Sequence, residues 1–212
     1  MTISNESRGR IKKVFEPIAL GMGRLGLTPD GLTLIGFGIT VVGAALLAAQ
    51  YWLLGGIVVF VGGVFDMFDG TLARATGKVS PLGAFMDSVF DRWGEAIVYL
   101  GIAWGGVLAG SDLVAILTSA ALGAAFMVSY TRAKSEGLGF TAGIGMAAVG
   151  VMPREIRLVI LSIGLIVAGA TANLTILAAA LAIITIGSII TVIQRIIHVR
   201  SQARAAATTT TH

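Results

Sequence analysis

GLTLIGFGITVVGAALLAAQYWLLGGIVVFVGGVF, Gly31 to Phe65, runs for 35 residues without a charge. A membrane-spanning helix needs about 20 apolar residues, because the hydrocarbon core is about 30 Å thick and a helix rises about 1.5 Å per residue. The stretch is too long for one span and right for two, with Gln50-Tyr51-Trp52 as the polar, aromatic break. A second stretch, Leu158 to Gln194, is uncharged for 37 residues and breaks at Thr171-Ala172-Asn173. Between them lie two more apolar runs, Pro81 to about Gly110 and Leu113 to Tyr130; the first carries Asp87, Asp91, Arg92 and Glu95 in its opening turns. The expected fold is all-α: a polytopic membrane protein with six transmembrane helices and an N-terminal amphipathic surface helix.

Composition agrees. Of 212 residues, 56% are hydrophobic and only 12% charged, about half the charge of a soluble domain; mean hydropathy is +0.91. A soluble fold of this size cannot hide that much apolar surface, and disorder is excluded on the same grounds. A net charge of +4 is a poor basis for nucleic-acid binding. The chain has no cysteine, which removes disulfides and thiolate metal sites. Its two histidines, His198 and His212, lie near the C-terminus, which argues against a histidine metal cage.

Three regions follow. Residues 1–28 form an N-terminal cytoplasmic segment in which basic residues alternate with Ile11, Val14, Phe15, Ile18 and Leu25, the spacing of an amphipathic helix on the inner membrane surface. Residues 29–200 form the six-helix membrane domain. Residues 201–212 are rich in alanine and threonine and are expected to be a disordered tail. Gly137 to Pro153 is uncharged but holds five glycines in 17 residues and ends at proline, so it reads as a loop or re-entrant segment. With the N-terminus inside, all fifteen Lys and Arg then fall on or near the cytoplasmic side, and the loops near 50, 111 and 172 carry none. The expected location is a prokaryotic cell membrane.

The chemistry is concentrated between Asp66 and Asp91. Asp66 and Asp69 are spaced i, i+3, and Asp87 and Asp91 i, i+4, so each pair shares a helix face. The short turn between the two helices makes them antiparallel neighbours, and four carboxylates can meet at one membrane edge. Unpaired, they would repel at a cost of several kcal/mol each. Arg74 and Arg92 are too few to balance them, so a hard divalent cation is expected: Mg²⁺, Mn²⁺ or Ca²⁺ rather than zinc. Two ions sharing Asp66 and Asp87 would make a phosphoryl-transfer centre. A cation transporter is the rival from another class, but it needs acidic residues at mid-membrane and a polar path across. Glu95, one turn beyond Asp91, fits a salt bridge to Arg92 at least as well as metal binding.

Asp66-Met-Phe-Asp69-Gly70-Thr-Leu-Ala73-Arg74, eight residues, then Gly83-Ala-Phe-Met-Asp87-Ser-Val-Phe-Asp91 resembles the signature of the CDP-alcohol phosphotransferase family at every defined position. The resemblance extends from about Leu25 to Arg195. It implies a six-helix enzyme, usually a homodimer, that displaces CMP from CDP-diacylglycerol with an alcohol hydroxyl. It implies Asp66, Asp69 and Asp87 as ligands of one Mg²⁺ or Mn²⁺ ion, and Asp66, Asp87 and Asp91 as ligands of a second. Asp91 is also implied as general base. Gly70, Arg74 and Ser80, with Pro29, Asp30, Gly31 and Leu32, are implied as contacts of the CDP moiety.

A basic cluster follows: Arg132, Lys134, Arg154, Arg157 and Arg195. Positive-inside bias alone would place cations there; the alternative is an anion pocket for a phosphorylated acceptor beside the metals. Ser129-Tyr130-Thr-Arg132-Ala-Lys134-Ser-Glu136, Arg154-x-x-Arg157 and Gln194-Arg195 resemble phosphatidylinositol-phosphate synthases of the actinobacterial type and their archaeal relatives. Such relatives often carry Arg-Pro-Glu-Arg where this chain has Arg154-Glu-Ile-Arg157. The implied acceptor is inositol phosphate, with glycerol phosphate as the runner-up.

Overall fold

The structure is a computed structural model and describes residues 5–140 and 145–209. Seven α-helices and one 3₁₀ turn account for most of them: α1 (Asn5–Arg24), α2 (Pro29–Ala48), α3 (Trp52–Ala75), α4 (Pro81–Leu108), α5 (Asp112–Gly137), the turn Met146–Ala148, α6 (Arg154–Thr171) and α7 (Leu174–Thr209). No strand occurs among the described residues.

Local chemistry sets the boundaries. Pro29 and Pro81 open α2 and α4, where a missing N–H costs nothing. Thr28 and Ser80 cap these helices, accepting hydrogen bonds from the N–H of Gly31 at 3.1 Å and of Gly83 at 3.0 Å. The break expected at Gln50-Tyr51-Trp52 is a tight turn with Gln50 at φ 66°, and the break at 171–173 turns on Ala172 at φ 52°. The described part of Gly137 to Pro153 holds only the end of α5 and the 3₁₀ turn, in keeping with a loop. The tail is different. α7 continues to Thr209, so residues 201–209 are helical and not disordered. The run Gln202-Ala203-Arg204-Ala205-Ala206-Ala207 is made of strong helix formers, and α7 is already nucleated, so propagation is cheap. Residues 210–212 lie outside the described part.

The six helices after α1 close into a ring: α2 packs on α3, α3 on α6, α6 on α7, α7 on α5, α5 on α4 and α4 back on α2. Gly101 and Gly105 let the α4 backbone lie directly against the carbonyls of Ala44 and Leu47 in α2, where any Cβ would collide. Leu47, Tyr99, Ile102, Leu165, Leu177, Leu181 and Ile184 fill the interior. The outer faces expose large apolar side chains such as Leu100, Trp104, Ile163, Ile186 and Ile196, a surface for lipid rather than water. Among the described residues, α2, α3, α5 and α7 are long and apolar enough to cross a membrane. α4 carries Asp87, Asp91, Arg92 and Glu95 up to its midpoint and α6 carries Arg154, Glu155 and Arg157 at its start, and most of those charges border the site. The molecule is a multi-pass membrane protein.

α1 packs on α3. Its Ala19 joins Leu32, Phe68 and Leu72 in a second apolar cluster, and Phe15 lies 5.0 Å from Phe68 between ring centres. Ile18 and Leu25 are exposed. The side chains of Ile11 and Val14 lie outside the described part.

Candidate active site

α3 ends and α4 begins at the same end of the ring, joined by residues 76–80. That linkage brings three of the four aspartates together. Oxygen atoms of Asp66, Asp69 and Asp87 all lie within 4.8 Å of one another. An oxygen-only set of this size suits a hard divalent cation. Asp69 is buried, and both its oxygens are held: Thr33 Oγ1 donates to Oδ2 at 2.6 Å and the Gly70 N–H donates to Oδ1. Such bonds fix a ligand's orientation before an ion arrives. Thr33, from α2, is not part of the sequence motif. Its only signal is its place one turn after Pro29.

Asp91 stands outside this triad. Arg154, at the start of α6, bridges it to Asp66. Nη1 donates to Asp66 Oδ2 at 2.9 Å, and Nη2 lies 2.7 Å from Asp91 Oδ1, near enough for an ion pair but off the hydrogen-bonding direction. Arg92 Nη2 is 3.5 Å from Asp91 Oδ2. The set Asp66, Asp87 and Asp91 is therefore joined partly through a guanidinium, which competes with any cation for the same oxygens.

The positions expected to touch CDP fall into two groups. Ser80 and Asp30 sit at the adjoining N-termini of α4 and α2; a Cβ on Gly83 would lie 3.1 Å from Ser80 Oγ and 3.8 Å from Asp30 Oδ1. Pro29 and Gly31 belong to the same turn of α2. Gly70 and Arg74 are on the last turns of α3, where the Arg74 guanidinium lies across Gly70, with Nη1 3.2 Å from the place a Cβ would take. Leu32 is the exception. Its side chain is completely buried in the cluster with Ala19 and Phe68, so it packs and has no free surface for a nucleotide.

The basic cluster lines an open groove of about 560 Å³ beside Asp87 and Asp91. Arg132, Arg154, Arg157 and Arg195 border it, together with Ser129 and Tyr130. Lys134 does not; it is exposed on α5, facing away from the groove. A helix turns about 100° per residue, so two positions along from Arg132 is the opposite side. The four arginines also have partners in the protein. Arg132 pairs with Glu136 at 3.0 Å. Arg157, with 2% of its side chain exposed, binds Glu95. Arg195 donates to the carbonyls of Val149, at 3.0 Å, and Val128. A second, much narrower cavity of about 60 Å³ lies inside the ring, and Asp91, Arg154 and Arg157 line both it and the groove.

A carboxylate triad sized for a divalent cation, beside a cation-lined groove and at the edge of a ring of apolar helices, fits a membrane enzyme that uses a metal ion on a phosphate-bearing substrate. The CDP-alcohol phosphatidyltransferase family model matches residues 26–194, and the chain belongs to that family. It is 41% identical to the archaetidylinositol phosphate synthase of Pyrococcus horikoshii over 156 residues, 74% of this chain and 78% of that one. It is 31% identical to the phosphatidylinositol phosphate synthase of Mycobacteroides abscessus over 201 residues, 94% of this chain and 89% of that one. Crystal structures of the Mycobacterium tuberculosis phosphatidylinositol phosphate synthase share the fold. The one with CDP-DAG bound gives a TM-score of 0.76 at 30% identity, covering 88% of this chain and 94% of that one. The one in complex with manganese and citrate gives 0.76 at 32% identity, covering 87% and 88%.

Proposed function

We propose that this protein transfers the phosphatidyl group of CDP-diacylglycerol to a hydroxyl of inositol phosphate, releasing CMP and forming phosphatidylinositol phosphate. The observation that carries the reading is the junction of the Asp66–Asp69–Asp87 triad with the arginine-lined groove. The names of the relatives share inositol phosphate and differ in the lipid.

Asp66, Asp69 and Asp87 would hold Mg²⁺ or Mn²⁺, with Asp91 completing a second site. When bound, such ions neutralise the pyrophosphate and stabilise the departing CMP. The residues of the chain do the rest. Asp91 takes the proton of the acceptor hydroxyl as its oxygen attacks the phosphorus that carries the diacylglycerol; the bond from that phosphorus to CMP breaks and CMP keeps the electron pair. Arg74 binds the diphosphate, since a guanidinium fork matches phosphate oxygens. Gly70 leaves room for it, and Ser80, Asp30, Gly31 and Pro29 border the nucleotide. Arg132, Arg154, Arg157 and Arg195 receive the acceptor phosphate.

All six helices of the ring cross the membrane in this reading. α1 lies along the inner surface, the site and both termini are cytoplasmic, and two copies associate in a prokaryotic cell membrane. The distribution of Lys and Arg supports the orientation. The test is CMP release from CDP-diacylglycerol in detergent with inositol phosphate, glycerol phosphate and free inositol offered in turn. Inositol phosphate is expected to be used best and free inositol poorly, because its lack of phosphate leaves the arginines unmatched. Preference for glycerol phosphate or free inositol would overturn the acceptor while leaving the reaction class standing.

A further inference from the structure

Glu95 is not part of the metal triad, yet it is one of the most heavily used side chains near it. Two guanidinium groups from different helices converge on its carboxylate, which is only 10% exposed. Arg157, from α6, donates through Nε to Oε1 at 2.9 Å and through Nη2 to Oε2 at 3.1 Å, and its Nη1 donates to the Met152 carbonyl at 3.1 Å. Arg92, from α4 itself, donates through Nη1 to Oε2 at 2.8 Å; the same nitrogen donates to Ser129 Oγ on α5. One carboxylate thus ties three helices together, and both arginines it holds border the groove. A guanidinium has five N–H donors. The bonds made by Arg157 leave one N–H on each terminal nitrogen. Arg92 Nη2 also approaches Asp91 at 3.5 Å, but Glu95 is the one anion both arginines share; without it the two cations would repel and swing apart.

We infer that Glu95 is a positioning residue for the phosphorylated acceptor: by clamping Arg92 and Arg157 it holds their unused N–H groups where the acceptor phosphate docks. The inference rests on the groove being the acceptor site.

The test is a pair of titrations, one per substrate, on Glu95→Gln and Glu95→Asp, with thermal unfolding in detergent alongside. Glutamine keeps the shape but removes the charge and turns an N–H₂ toward a guanidinium. A charge-assisted contact governs roughly tenfold to hundredfold in affinity. The apparent KM for inositol phosphate should rise by about that factor in Glu95→Gln and by less in Glu95→Asp, which keeps the charge with a shorter reach. The KM for CDP-diacylglycerol, and the rate at saturating acceptor, should change by less than about threefold. Equal changes in both KM values, or a lower unfolding temperature with neither KM moved, would reduce Glu95 to a packing ion pair and overturn the inference. Should Glu95→Gln fail to fold, Glu95→Asp carries the same comparison alone. The parent enzyme separates the two levels. If it uses no phosphorylated alcohol, the acceptor reading and this inference fall together. If it uses one and the Glu95 variants leave that KM unmoved, this inference alone falls.

Discussion

The two halves of the site are built differently. The aspartate triad comes from consecutive helices, α3 and α4, joined by a short link; helix periodicity sets Asp66 and Asp69 on one face, and the link brings Asp87 to them. The arginine groove draws on α4, α5, α6 and α7, and its cations are already paired with protein groups as far as 88 positions away in sequence, as Arg154 and Asp66 are. The first half is a local construction and the second a tertiary one. Local sites announce themselves in spacing. Tertiary sites show only residue type, and type does not say whether an arginine awaits a ligand or balances a buried carboxylate.

The largest effects should fall on the local half. Asp66→Asn or Asp87→Asn removes a ligand whose ion contributes several kcal/mol of charge stabilisation, so the rate of CMP release should fall by about a thousandfold or more. Unfolding temperature should stay close to the parent. EDTA should silence the parent enzyme equally, and Mg²⁺ or Mn²⁺ should restore it. Asp91→Asn comes next. Loss of a general base costs about 10²–10⁴ in rate, while CDP-diacylglycerol should still bind, as a titration of the variant can read. Turnover near the parental rate would remove Asp91 from the chemistry.

Smaller effects are expected in the tertiary half. Arg154 belongs to both, through Asp66 and Asp91 on one side and the groove on the other. Arg154→Ala should raise the KM for inositol phosphate about tenfold to hundredfold. It should also lower the Mg²⁺ concentration needed for half-maximal rate, because a competing cation has gone. A rise in the metal requirement would show that Arg154 supports the triad rather than competing with it. The smallest effect belongs to Lys134, which is exposed and off the groove. Lys134→Ala should leave both KM values within about twofold. A loss matching that of Arg154 would return it to the acceptor site.

The same division explains what could be read in advance. The breaks at residues 50–52 and 171–173 and the metal triad follow from hydropathy and spacing; the expected direct packing of α3 on α4 does not hold, because α2 lies between them and packs on both. Lys134 was grouped with Arg132 because charge was counted without its helix face. Leu32 entered with the nucleotide positions because the resemblance takes Pro29 to Leu32 as one stretch, whereas α1 covers its side chain. Thr33 escaped because its partner, Asp69, comes from another helix; the expected pairing of Glu95 with Arg92 is present, but its second partner, Arg157, escaped because it comes from α6. The helical course of 201–209 escaped because composition was weighed without the helix it extends.

The most direct test follows both products of one reaction mixture: CDP-diacylglycerol and inositol phosphate with Mg²⁺, the lipid identified by mass spectrometry and CMP counted against it. Phosphatidylinositol phosphate and CMP should form in equal amounts, and both should vanish with EDTA and in Asp87→Asn. CMP released without a matching phosphorylated inositol lipid, or product formed undiminished in EDTA, would contradict the joining of a metal triad to an acceptor-phosphate groove.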